Sequence, residues 1–251
     1  MTLRTTARAL GAFSIGATGS LAAARLLKQH PPGGFERWVR TNYTGHPVTL
    51  LEGPAFVVSA VSGALAGGAG APAAVAGLGA GAFGVFDDLV GESSRRGLRG
   101  HLAAACRGEV TTGAIKMVGL GATGVLSAWI MDRSRTHTGP VATLVGGGVI
   151  AGSANIVNLL DLRPGRALKV VLLFAAPLAL GRGTRGSRSV AGAAAGAAIG
   201  SLPDDLAGRS MLGDTGANAA GALLGTALVG RSGLAGRLLA LAVVTALTLA
   251  S

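Results

Sequence analysis

No charged residue occurs between Glu52 and Asp87, where the chain reads "GPAFVVSAVSGALAGGAGAPAAVAGLGAGAFGVF". A helix crosses the hydrocarbon core of a bilayer with about 20 predominantly apolar residues, so a run of this kind must be buried in lipid or protein. Nine apolar segments can be drawn, near 8–27, 48–68, 70–88, 114–131, 140–160, 167–181, 189–203, 215–230 and 234–250. Those near 167 and 189 are short, which calls for tilt or local thinning of the bilayer. Composition agrees: only 13% of residues are charged, against about 25% in a soluble domain. With no room for a soluble domain between segments, residues 1–251 are expected to form one all-α, polytopic transmembrane bundle of about nine to ten spans.

Forty-three glycines and many alanines would weaken helices in water. In lipid they permit close helix approach, and the ladder Gly192, Gly196, Gly200 is the best example. Codon bias toward Ala, Gly and Arg is the alternative source of this richness. The net charge of +11 suits anionic lipid head groups, an anionic substrate or topology. Nucleic acid is not an expected partner, because the basic residues are scattered over short connections. The single cysteine, Cys106, excludes an intramolecular disulfide. The N-terminal stretch, with Arg4, Arg8 and "LAAA", resembles a signal peptide but reads better as an uncleaved first helix.

If successive spans alternate direction, every second connection lies on the same side. One side then collects thirteen of the 22 Lys and Arg residues and the other nine. By the positive-inside rule the first side is cytoplasmic, though the bias is slight. Carboxylates divide far more sharply. Ten of the eleven, Glu36, Glu52, Asp87, Asp88, Glu92, Glu109, Asp161, Asp204, Asp205 and Asp214, fall on that first side, and only Asp132 lies opposite. Acidic residues contribute little to insertion, so their asymmetry points to a site.

Four polar clusters mark that face: "FDDLVG" with Asp87 and Asp88, "NIVNLLDLRPGR" with Asn155, Asn158 and Asp161, "LPDDLAG" with Asp204 and Asp205, and "MLGDTGAN" with Asp214, Thr215 and Asn218. Asn155, Asn158 and Asp161 recur at intervals of three, which puts them on one helix face. Hard oxygen ligands of this type suit Mg²⁺, which is usually held by one or two carboxylates, waters and substrate phosphates. A metal would also offset the repulsion between adjacent Asp87 and Asp88. Basic residues near them (Arg95, Arg96, Arg99, Arg107, Lys116) can bind a diphosphate. The competing reading of any one pair is a helix cap or a solvated loop.

"FDD" after a third apolar helix, "NxxNLxD" ending a later one and "GDTG" opening another occur in an order that resembles the polyprenyl-phosphate N-acetylhexosamine-1-phosphate transferases. That family includes the phospho-N-acetylmuramoyl-pentapeptide and GlcNAc-1-phosphate transferases. The resemblance covers roughly residues 37 to 230, with "RTNYTGHPVTLLEG" similar to the family's Arg-containing stretch before helix two. It implies a multi-pass protein of the cell membrane with a cytoplasmic active-site cleft. It further implies Mg²⁺-dependent transfer of a sugar phosphate from a UDP-sugar to undecaprenyl or decaprenyl phosphate, releasing UMP, in peptidoglycan or other envelope-glycan biosynthesis. Carried over by motif, Asp87, Asp88 and Asp161 are the catalytic carboxylates, and Asp214 with Asp88 would hold the metal. Asn155, Asn158, Arg99 and Lys116 would bind substrate. Membrane lipids and a second copy of the chain are the further partners expected.

The chain departs from the family pattern in having no histidine after His137, Gly91 in place of a lysine, Ala217 in place of a serine, and "NLLDLRPGR" in place of "NLxDGxDGL". These departures leave an alternative: a non-catalytic member that binds the lipid carrier or acts as a scaffold. A transporter is disfavoured, because transport sites lie near the midplane and these carboxylates gather at one face.

Overall fold

The computed structural model describes residues 3–90, 111–135 and 138–250, and nine helices among them fall on the nine apolar segments. They are α1 (Leu3–Gln29), α2 (Glu52–Ala66), α3 (Ala71–Val90), α4 (Thr112–Asp132), α5 (Pro140–Leu160), α6 (Arg166–Leu180), α7 (Arg185–Leu206), α8 (Gly213–Val229) and α9 (Leu234–Ala250). Their ends follow local chemistry. Thr111 and Thr184 cap α4 and α7 by accepting from the amides of Ala114 and Ser187, each at 3.1 Å. Pro140 opens α5, where its missing N–H costs nothing.

Four helices, α1 from Thr5, α3, α4 and α5, are long and apolar enough to cross a membrane. That is fewer than the nine to ten spans expected from the sequence. The reasons differ by helix. α2 and α6 have only 15 residues and α8 and α9 only 17. α7, expected to be short, runs for 22 residues but carries Arg185, Arg188, Asp204 and Asp205 in its end turns. The charges that made this segment look short are inside the helix.

The connection 28–47, expected to be merely polar, contains a short 3₁₀ turn (Phe35–Trp38) and a two-stranded antiparallel hairpin, β1 (Val39–Thr41) and β2 (Pro47–Thr49). β2 continues past the hairpin: Thr49 accepts from the amide of Met211 at 3.1 Å and donates to the carbonyl of Arg209 at 3.3 Å. The hairpin thus docks on the connection between α7 and α8.

α8 is the axis of the bundle. Nearly every residue from Gly213 to Val229 is buried, as expected of a helix built from small and apolar residues on all sides. Its Ala217, Ala220, Leu223 and Ala227 belong to a core shared with α2, α6 and α7, and its Ala222 and Val229 to one shared with α3, α4 and α5. The glycine ladder of α7 lies against α1. A Cβ on Gly192 or Gly200 would stand 2.5 Å from the carbonyl oxygen of Ala9 or Ala17, and one on Gly196 would collide with that of Phe13. Three glycines one turn apart therefore face three α1 residues one turn apart, so the backbones touch. Large apolar side chains such as Val118, Val141, Leu173 and Leu239 point outward.

Helix ends meet in two groups. At one end α1 closes, α2 opens, α3 closes, α4 opens, α5 closes and α8 opens, and the described acidic residues other than Asp132 collect there; Glu92 and Glu109 lie outside the described residues. The other end carries arginines and Asp132.

Candidate functional site at the carboxylate end

Adjacent residues of an α-helix point roughly 100° apart, and this resolves the apparent conflict between Asp87 and Asp88. The two carboxylates leave α3 in different directions and find different partners. Asp88 turns to the start of α8. Its Oδ1 accepts from the amide of Asp214 at 3.0 Å, and its Oδ2 accepts from the amide of Thr215 at 2.9 Å and from Thr215 Oγ1 at 2.6 Å. It caps α8 from another helix, satisfying two amides that the first turn leaves without intrahelical partners and placing negative charge at the positive end of the helix dipole.

The joint is tight. Gly213 has φ of 59°, and a Cβ there would sit 3.0 Å from both Asp88 oxygens. A side chain at this position would suffer both left-handed backbone strain and a clash with the carboxylate. The amide of Gly213 donates at 2.9 Å to Asp161 Oδ2, at the end of α5. Burial holds the Asp161 carboxyl well above the usual aspartate range; the nearby charge of Asp205 pushes it further up, and the Gly213 hydrogen bond only partly opposes this. The "GDT" amides are thus gripped from both sides, by α3 and by α5.

Asp87 turns to α4. Its Oδ2 lies 3.4 Å from Lys116 Nζ, which is 2.5 Å from Asp214 Oδ2. One ammonium therefore bridges two carboxylates from different helices, with side-chain exposures of 12%, 21% and 24% for Lys116, Asp87 and Asp214. The cluster is wet at one edge.

Charge balance decides how these residues suit a divalent cation. Lys116 offsets one of the two facing carboxylates, and the charge of Asp88 is met by the α8 terminus, so one negative charge remains. Mg²⁺ needs only one or two carboxylates beside water and substrate phosphate, and Asp87 with Asp214 supplies that donor set. Asp88 does not face it, because both its oxygens are engaged by the α8 backbone. No group of three His, Cys, Asp or Glu side chains is arranged as a metal cage among the described residues, so a bound ion would depend on substrate oxygens.

Asn155 and Asn158 lie half-buried on α5, leading up to buried Asp161 as the three-residue spacing anticipates. Asn218, one turn beyond Asp214 on α8, is fully buried with neither amide atom partnered. Asp204 is drawn outward: its Oδ2 is 2.5 Å from Lys28 Nζ, tying α1 to α7, and Arg209 pairs with its other oxygen. Arg99 lies outside the described residues, as do Gly91, Arg95, Arg96, Cys106, Arg107 and His137.

No protein-family model matches the chain, and no curated protein matches it. The site therefore stands on its own geometry. Two further residues, both inside the "RTNYTGHPVTLLEG" stretch, join the site without having been assigned an individual role from the sequence. Glu52, at the start of α2, is 3% exposed and accepts from Ser210 Oγ. Arg40, on β1, donates to the carbonyl of Asp88 and locks the hairpin to the end of α3. A lone acid opening an apolar run and an Arg inside a polar connection were the available signals, and both are common in surface positions.

Proposed function

We propose that the protein transfers a sugar 1-phosphate, of the N-acetylhexosamine type, from a UDP-sugar to polyprenyl phosphate at the carboxylate end, releasing UMP. The observation that supports this reading is the convergence of Asp87, Asp214 and Lys116 at a partly exposed cluster held rigid by Asp88 and Asp161. Phosphoryl transfer asks a protein for positioning and charge neutralisation more than for covalent work. The lipid phosphate oxygen attacks the sugar-bearing phosphorus, the diphosphate P–O bond breaks, and UMP leaves with the bonding electrons. Asp87 orients the lipid phosphate and accepts its proton where it arrives protonated. Lys116 places a point charge on the diphosphate oxygens, and Asn155 and Asn158 line the nucleotide side. Mg²⁺, held by Asp87 and Asp214, would neutralise charge building on the diphosphate. In this reading the helical bundle sits in the membrane and the carboxylate end faces the cytoplasm.

A second reading, a lipid-carrier-binding scaffold without catalysis, draws on the Lys116 bridge, which partly neutralises the acids a metal would need. Purified protein with Mg²⁺, undecaprenyl phosphate and a panel of UDP-sugars separates the two through UMP release. Asp214→Asn is expected to lower that release about a hundredfold or more, since a neutral ligand forfeits several kcal/mol and each 1.36 kcal/mol is about tenfold in rate. Asp205→Asn, away from the Lys116 bridge, is expected to do less. Equal rates in wild type and Asp214→Asn would remove the metal assignment. Wild type inert toward every UDP-sugar would favour the scaffold.

A further inference from the structure

Behind the start of α8 stand three buried carboxylates that no cation balances. Glu52 opens α2, Asp161 closes α5 and Asp205 lies in the last turn of α7, at 3%, 7% and 2% exposure. They come from three helices, yet the charge of Asp205 reaches both of the others, and that of Asp161 reaches Glu52. The cations at this end are engaged elsewhere. Lys28 and Arg209 pair with Asp204, Lys116 pairs with Asp87 and Asp214, and Arg40 donates to backbone carbonyls. Lys169, exposed on α6, is the cation nearest Asp205 but forms no ion pair with it. The groups presented by α3 and α8, Asp88 and Asp214, are themselves acids.

Two oxygens of this cluster have nothing to accept. Glu52 Oε2 accepts from Ser210 Oγ, but Oε1 is buried without a partner, as is Asp205 Oδ2. An ionised carboxylate is an acceptor at both oxygens, whereas the protonated form turns one of them into a donor. A buried carboxylate with neither a cation nor a full set of donors takes up a proton rather than stay charged. Like charges close by reinforce this, since each ionisation opposes the next.

The same acids fasten the segment that leads into the candidate site. Ser210 donates to Glu52, and the amide of Gly213 donates to Asp161 at 2.9 Å. The connection from α7 to α8 is thus held at both ends, and Asp214 follows it directly.

We propose that Glu52 carries a proton at neutral pH and that this proton latches the α7–α8 connection. While Glu52 is neutral, the ends of α2, α5 and α7 close on residues 210–213. Its ionisation sets the acids against one another, parts those ends and frees the first turn of α8. The latch does not depend on what the carboxylate end binds. Its direction follows from linkage. An open form releases the Glu52 proton near the ordinary glutamate value of about 4.3, while the closed form keeps it. Above that pH the open form therefore gains about tenfold per pH unit, until the closed form ionises too.

Infrared spectra and amide exchange of the full chain in nanodiscs test this. Wild type at neutral pH is expected to show the carbonyl stretch of a protonated glutamate. Isotope-labelled glutamate should shift that band, Glu52→Gln should remove it, and Glu36→Gln, at an exposed position, should leave it. Exchange at residues 210–213 is measured relative to residues 123–127 of α4 in the same sample, which cancels the intrinsic effect of pH. Its rise with pH is expected to be steeper in wild type than in Glu52→Gln, by about tenfold per pH unit. If Glu52→Gln does not fold, the labelled wild type still decides, because the band is either present at neutral pH or absent. Absence of the band, or exchange in Glu52→Gln that follows pH as steeply as in wild type, overturns the proposal.

Discussion

Asp88 is the residue whose replacement distinguishes positioning from chemistry. In Asp88→Ala the amides of Asp214 and Thr215 and the hydroxyl of Thr215 lose their acceptor at a largely buried joint. A lost cap costs about 0.5–2 kcal/mol, and each buried donor left unsatisfied about 1–3 kcal/mol. The helix-dipole contribution of the carboxylate is about 0.3–1 kcal/mol. With the hydroxyl free to turn elsewhere, the loss should come to roughly 3–5 kcal/mol. Asp88→Asn keeps one acceptor but aims an amide N–H₂ at donors, so about half that loss is expected. Asp87→Ala is the comparison. Its partner is the partly exposed Lys116, it takes no backbone amide, and its removal should cost about 1 kcal/mol or less. Equilibrium unfolding of the purified protein in mixed micelles measures all three. The expected order of stability is wild type, Asp87→Ala, Asp88→Asn, Asp88→Ala. Asp88→Ala as stable as Asp87→Ala would falsify the capping role.

At the α1–α7 contact, Gly196→Leu drives a side chain into the backbone of Phe13 and should destabilise the protein by roughly 2–3 kcal/mol. Gly11→Ala, with open space around it on α1, should instead stabilise by about 0.4–1 kcal/mol; a matched pair of melting curves shows whether the signs differ. Asp161→Asn probes pH. Because burial raises the folded-state pKa of Asp161 above the unfolded value of about 3.9, its stability contribution falls as pH climbs from there through the folded pKa. The midpoint of Asp161→Asn should therefore gain on wild type as pH rises, and a difference independent of pH would contradict it.

The positions of the nine helices were legible because apolarity along a segment is a local property, readable within about 20 residues. The glycine ladder was legible for the same reason: Gly192, Gly196 and Gly200 define one face before any partner is known. So was the gathering of acids at one end, since alternating spans assign each connection to a side. What each acid does there was not. Asp88 and Thr215 stand 127 positions apart, and nothing near "FDD" indicates that the second aspartate caps a distant helix while the first meets Lys116. The membrane-spanning count also escaped the sequence pattern, because the end charges of α7 lie inside the helix and α8 is short yet almost wholly enclosed by protein. The same holds for Arg237, whose two engaged nitrogens and one free nitrogen follow from where α4 and α5 place Asp132 and Ala142. A hydrophobic period is set by neighbours in the chain. The partner of a carboxylate or a guanidinium is set by which helix ends meet, and only the packed bundle decides that.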